Sequence, residues 1–165
     1  MTRSLFLFLL VTTPFCSTLA QDRNGLLLDG SSRRPYYALL YERAIASKAS
    51  HAWTARLGFI AGGNAFGLPA GISWLKGEGR HRLELSAEGI FYVDKSRSFL
   101  SGDDVSDKYL FFIPAVGYRY QPPSGGLFFR LLAGPFISLD PRSDDFWKMD
   151  GKVYGVVKGT VGWRW

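Results

Sequence analysis

Glu84 and Glu88 are the pair whose type and spacing first suggest chemistry, because two carboxylates facing one substrate do the work of glycoside hydrolysis. They stand in HRLELSAEGIFYV, where Leu83, Leu85, Ala87, Gly89, Phe91 and Val93 alternate with Arg82, Glu84, Ser86, Glu88 and Tyr92. That period of two predicts a strand with both carboxylates on one face. Charges elsewhere follow the same rule: Glu42, Arg56, Arg82, Glu84, Glu88, Arg130 and Lys158 fall on the polar faces of their own segments. Ions of both signs on one side of a sheet predict mutual pairing before catalysis, since each buried charge needs an opposite neighbour.

Other reactive residue types are sparse. The two histidines, His51 and His81, fall where turns are expected, with no nucleophile spacing around them. No metal-ligand spacing, phosphate-binding glycine motif or nucleophile elbow is present, so no cofactor is expected. Acidic residues cluster at Asp103, Asp104 and Asp107 and again at Asp140, Asp144, Asp145 and Asp150. Solvated loop charge accounts for these more simply than divalent ions bridging to lipid phosphates.

The elements that must position the charges are strands. Eight segments have strand character: 24–29, 35–45, 52–61, 68–76, 81–93, 108–120, 126–139 and 152–165. In the third, Trp53, Ala55, Leu57, Phe59 and Ala61 oppose Thr54, Arg56 and Gly58; in the seventh, Leu127, Phe129, Leu131, Ala133, Pro135 and Ile137 oppose Phe128, Arg130 and Gly134. The sixth, KYLFFIPAVGYRY, is apolar on both faces, so its register is not readable from pattern. The eighth alternates Val153, Gly155, Val157, Gly159, Val161, Trp163 and Trp165 with Lys152, Lys158, Thr160 and Arg164. Its apolar face ends in two tryptophans with no following segment to cover it, and lipid is the natural cover. The charged faces then point inward, which predicts an all-β, eight-stranded antiparallel transmembrane β-barrel with a charged lumen. An eight-stranded barrel is only wide enough to be filled by side chains, so the charges are expected to seal it.

The connections alternate in kind. Those at 46–51, 77–80 and 121–125 are tight, the last built from Pro122, Pro123 and Gly125, whereas 94–107 and 140–151 are long and polar. Outer-membrane barrels have short periplasmic turns and long external loops. On that scheme the tight turns and both histidines lie on the periplasmic side, with 30–34, 62–67 and the two long loops outside. Tyr36, Tyr37, Trp53, Tyr118, Tyr120, Trp163 and Trp165 are expected to form the lower aromatic girdle.

Export is expected from the first twenty residues: Arg3, an apolar run at 5–11, and a small-residue exit closing on Ala20, after which cleavage is placed. Thr13, Pro14 and Phe15 ahead of Cys16 disfavour a lipoprotein reading. Residues 21–165 then form one barrel domain of 145 residues without cysteine, excluding disulfides and thiolate zinc. Its 19 basic and 14 acidic residues leave a net charge of +5 once Arg3 is removed. Those cations are spread over many strands and turns, so anionic lipid or lipopolysaccharide phosphate is the expected partner, not nucleic acid.

With this pattern in hand, the chain resembles the small eight-stranded OmpA/OmpX-like outer-membrane barrels of Gram-negative bacteria, within an uncharacterised subfamily. The resemblance is carried by Glu42 and Arg43 with Arg56, Gly58 and Phe59, and by the GYRYQPPSGG turn from Gly117 through Gly126. Val161, Trp163 and Trp165 look like the terminal insertion signal of that group, ending in Trp where Phe is usual, which implies the barrel-assembly machinery as a partner. The resemblance implies an outer-membrane location and says little of function, because such barrels stabilise, adhere, modify lipid or serve as structure. A structural or surface-interaction role through the external loops is the leading expectation. A lipid A-modifying enzyme and a small passive channel are the alternatives, with a soluble ligand-binding barrel behind them. The lipid A deacylase family places a serine two residues after its histidine, and neither His51 (Ala52, Trp53) nor His81 (Arg82, Leu83) matches.

Overall fold

The computed structural model describes residues 24–33, 35, 37–48, 50–62, 65–94, 107–141 and 149–165. The leader assigned to residues 1–20 lies outside them, as do the long-loop segments 95–106 and 142–148 with Asp103, Asp104, Asp144 and Asp145.

The alternation of apolar and polar residues produces eight strands: β1 (Asn24–Ser31), β2 (Tyr37–Ser47), β3 (His51–Gly62), β4 (Ala65–Lys76), β5 (His81–Asp94), β6 (Asp107–Tyr120), β7 (Gly126–Pro141) and β8 (Met149–Arg164). Each pairs antiparallel with its neighbour in sequence, and β1 pairs with β8 to close the barrel. At the seam Asn24 and Trp165 exchange backbone hydrogen bonds of 3.2 and 3.0 Å. Closure leaves the sheet without an edge.

Three tight connections gather at one end, between β2 and β3, β4 and β5, and β6 and β7. Gly79 and Gly125 supply the left-handed backbone these turns need, with φ of 68° and 77°. A bulge between Ala44 and Ala46 re-aims β2 before its turn, which carries the strand to Ser47, two residues beyond the pattern-based limit. His51 and His81 are the first residues of β3 and β5 and not turn residues, because each already pairs with the neighbouring strand.

Two expectations are corrected. Gly67 belongs to β4, not to a loop over 62–67: it pairs with Ile60 while Phe66 and Leu68 flank it on the outer face, so the alternation runs on past the glycines. Tyr37 lies at the end opposite the tight turns, since it pairs with Gly30 where β2 begins, and so has no place in a lower girdle; Tyr36 lies outside the described residues. Trp53, Tyr118, Trp163 and Trp165 do sit near the tight-turn end and are exposed.

The faces sort strongly. Among the described residues 27 large hydrophobics are exposed, against 13 buried hydrophobics and 13 buried polar or charged residues. The register of β6, ambiguous in sequence, is fixed by its neighbours: Leu110, Phe112, Val116 and Tyr118 face out, while Phe111, Ile113 and Arg119 are buried within.

Candidate functional site

The interior is layered along the barrel axis. Reading up β7 and β8 from the tight-turn end, inward positions run Phe128 beside Gly162, Arg130 beside Thr160, Leu132 beside Lys158, then Gly134 beside Val156 and Phe136 beside Tyr154. Most of the buried charges therefore occupy a middle storey between two apolar ones, and Arg164 is buried beside Gly126 below the lower one.

The lower apolar storey is Leu27, Leu40 and Phe128. Gly162 makes room for Phe128: a Cβ there would collide with the phenyl ring. The Arg119 guanidinium lies over that ring, 4.2 Å from its centroid.

Strand register sets the middle storey. Arg82, Arg119 and Arg130 are direct neighbours on β5, β6 and β7, and the same row continues through Thr160 to Asp29 on β1. Three adjacent guanidinium groups repel unless each reaches a different acid. Arg130 turns to β1, donating from Nη2 to both Asp29 oxygens at 2.8 Å and from Nε to Thr160 Oγ1 at 2.6 Å. Arg119 crosses to β2 and donates to both oxygens of Glu42. Gly117, which pairs with Glu84 and with Leu132, presents no side chain at that level; a Cβ there would strike the Leu131 carbonyl.

Glu84 is the centre of the cluster. Its Oε1 accepts from Arg56 Nη1 at 2.9 Å, from Arg130 Nη1 at 3.1 Å and from Ser73 Oγ at 2.7 Å, while Oε2 stands 3.7 Å from Arg119 Nη1. Arg56 also donates to Ser73 Oγ at 2.6 Å and lies 3.7 Å from Glu42, which accepts from Thr54 Oγ1 at 3.2 Å. Toward the long-loop side Lys158 bridges two acids, 3.1 Å from Asp29 Oδ2 and hydrogen-bonded to Glu88 Oε1. Asp29, Glu42, Glu84 and Glu88 thus meet Arg56, Arg119, Arg130 and Lys158 in one connected set of ion pairs. Burying so many ions is tolerable because each has an opposite charge and further donors or acceptors at short range.

Glu42, Arg56, Glu84, Glu88, Arg130 and Lys158, all anticipated from sequence, are within this set. Arg82 faces the lumen but stands apart: it is half-buried and belongs to none of the ion pairs above. Pairing between Arg82 and Arg119 places it beside a cation, with Glu84 already engaged by three arginines. Asp29 and Arg119 were not anticipated. Alternation in β1 carries a signal for Asp29, because Leu26 and Leu28 define the apolar face it opposes; nothing in β6 alone marks the side Arg119 takes.

The upper storey is apolar. Ile60, Ile90, Phe111, Ile113, Phe136 and Val156 form one cluster, with Tyr92 and Tyr109 packed on it. The Phe111 and Phe136 rings are 4.9 Å apart between centroids. Where this storey meets Asp29, Glu88 and Lys158 a cavity of about 10 Å³ remains, room for about one water.

The arrangement has the parts of a filled interior. Glu84 and Glu88 are buried and committed to cations, leaving no approach for a saccharide. His51 lies 3.4 Å from Ser50 Oγ, and the pair is at the surface. His81 is bonded to the Tyr118 hydroxyl on the outer wall. Among the described residues no cluster of three or more histidine, cysteine, aspartate or glutamate side chains is placed to hold a metal. Set against family models, curated proteins and solved structures, the chain gives no match in any of the three, so its fold stands on its own geometry: an eight-stranded antiparallel closed barrel.

Proposed function

We propose that this chain is an exported outer-membrane β-barrel of the OmpA/OmpX-like kind, with a structural or surface-interaction role and a lumen filled by paired charges. The observation that carries the reading is the inversion of the wall: leucines and aromatics such as Leu28, Leu57, Phe59 and Leu131 are exposed, while Glu42, Glu84, Arg119 and Arg130 are buried. A barrel in water places its apolar residues inside. In lipid the apolar face has a solvent that suits it, and a closed sheet leaves no backbone group unpaired in the hydrocarbon.

A sealed interior favours the structural role over a passive channel, because an ion entering from either end meets an apolar storey backed by fixed ion pairs. It also disfavours lumenal catalysis. Interaction would then fall to the loops 94–107 and 140–151, and the cationic excess suits lipid and lipopolysaccharide phosphates as neighbours.

Cell fractionation combined with heat-modifiable gel migration tests the location: the protein should partition with outer membranes and migrate differently before and after boiling. Soluble partition with unchanged migration would overturn it. Mass spectra of lipid A from cells with and without the protein should be identical, and a changed acylation pattern would make it a lipid A-modifying enzyme instead.

A further inference from the structure

The outer wall carries a shallow recess across β5 to β8. Across β5 to β8 the outward positions Leu83, Tyr118, Leu131 and Gly159 form one register row, and Leu85, Val116, Ala133 and Val157 form the next. The small side chain of Ala133 leaves the wall low between Leu131, Val116 and Val157. The result is an open groove of about 600 Å³. Its lining is apolar along Leu131, Ala133, Val116 and Val157.

Its tight-turn end is different in character. There the His81 ring is hydrogen-bonded to the Tyr118 hydroxyl and packs edge-on against Tyr120, with centroids 5.6 Å apart. Arg80 is exposed one residue earlier, and the exposed Lys76 pairs with Leu83 of the groove wall. The adjoining 121–125 turn carries no acid, and the 77–80 turn carries Glu78 alone. Exposed Arg43, Lys48 and Lys76 extend the same sign around this end of the barrel. An apolar trough that opens onto a basic, hydrogen-bonding end complements a molecule with an acyl chain and an anionic head.

We propose that this groove binds one anionic phospholipid, its acyl chain lying along Ala133 and its phosphate meeting the His81–Tyr118 pair. The site rests on the membrane reading above, and it adds a defined lipid position to a wall otherwise solvated by lipid in bulk. A second copy of the chain would also cover apolar surface, but it would bring the same basic rim against this one, whereas an anionic lipid neutralises it.

Native mass spectrometry of the full mature protein in a nonionic detergent tests the site. Dioleoyl phosphatidylglycerol, dioleoyl phosphatidylcholine and glycerol 3-phosphate are supplied in turn at equal concentration. One phosphatidylglycerol should be retained in preference to phosphatidylcholine by about fivefold, the scale of one basic residue meeting an anionic lipid surface. Glycerol 3-phosphate should not be retained. Ala133→Trp should abolish the adduct by filling the trough, with Val157→Phe as a milder filling should that variant fail to fold; His81→Ala should erase the preference between lipids. Equal retention of the two lipids, retention of glycerol 3-phosphate alone, or an adduct indifferent to both filling variants would overturn the proposal. So would a protein dimer that the filling variants disperse. Heat-modifiable migration on the same samples separates the two failures: a barrel that migrates as folded membrane protein yet retains no lipid sinks this site and leaves the membrane reading standing.

Discussion

Arg119 on β6 and Glu42 on β2, 77 residues apart in sequence, meet across the lumen as a two-pronged pair, Nη1 to Oε2 at 2.9 Å and Nη2 to Oε1 at 2.6 Å. Parallel N–H bonds to both carboxylate oxygens make a strong and orientation-specific contact that lysine could not reproduce. Removing either partner leaves the other, still buried, with only a 3.7 Å ion pair, Glu42 to Arg56 or Arg119 to Glu84. Glu42→Leu or Arg119→Met alone should each lower stability by roughly 3–5 kcal/mol, and the Glu42→Leu/Arg119→Met double variant by distinctly less than the sum. Urea titration of the folded barrel in lipid vesicles, arranged as a double-mutant cycle, measures the coupling; strict additivity would show the pair to be energetically idle.

Gly162 and Phe128 make a tighter prediction. The missing side chain of one is the space occupied by the ring of the other. Gly162→Ala should destabilise by about 1–3 kcal/mol through overpacking, and Phe128→Leu in the same chain should recover part of that loss. Thermal scans of the two single variants and the double check it.

The outer wall separates membrane from aqueous readings. Leu57 is 61% exposed on β3 and faces away from the lumen. In a bilayer, Leu57→Arg should cost up to about 2–4 kcal/mol, depending on depth. In water the same change would be near neutral or improve solubility. Refolding yield into vesicles against urea concentration gives the answer directly.

Two storeys each block the lumen, so opening one should not open the barrel. Phe136→Ala should cost about 3–5 kcal/mol by leaving a cavity in the upper apolar cluster. Planar-bilayer recording of wild type and of this variant should give no steady conductance, because the ion pairs below remain. A steady open level in wild type would instead favour the channel alternative.

Much of this was legible in sequence, and what was not has local causes. Period two is strong enough in β3, β5, β7 and β8 to place Arg56, Glu84, Glu88, Arg130 and Lys158 on one face, the face that is buried. Pro122, Pro123 and the neighbouring glycines marked the β6–β7 turn by backbone chemistry alone. Arg119 escaped because Phe111 and Ile113 fill the upper lumen while Phe112 and Val116 cover the outside, so both faces of β6 read as apolar. Tyr37 was misplaced because an aromatic near a strand end carries no label for which end it is. Arg82 was right in face and wrong in company, since a strand pattern fixes which way a side chain points and not which charges wait across the lumen.

Asp29 sits on the first strand, and the partners it contacts, Arg130, Thr160 and Lys158, sit on the last two. Seven strands in place without β1 would leave Arg130 sharing one crowded acid and Lys158 holding a single counterion. The circle therefore rewards only its own completion, and a nearly finished sheet gains little over a much less finished one. Folding should consequently look all-or-none at the β1–β8 seam, with few half-closed molecules surviving at equilibrium. Asp29→Asn should speed opening of that seam far more than it slows the earlier pairing of β2 through β7, a difference that unfolding and refolding rates measured side by side would reveal.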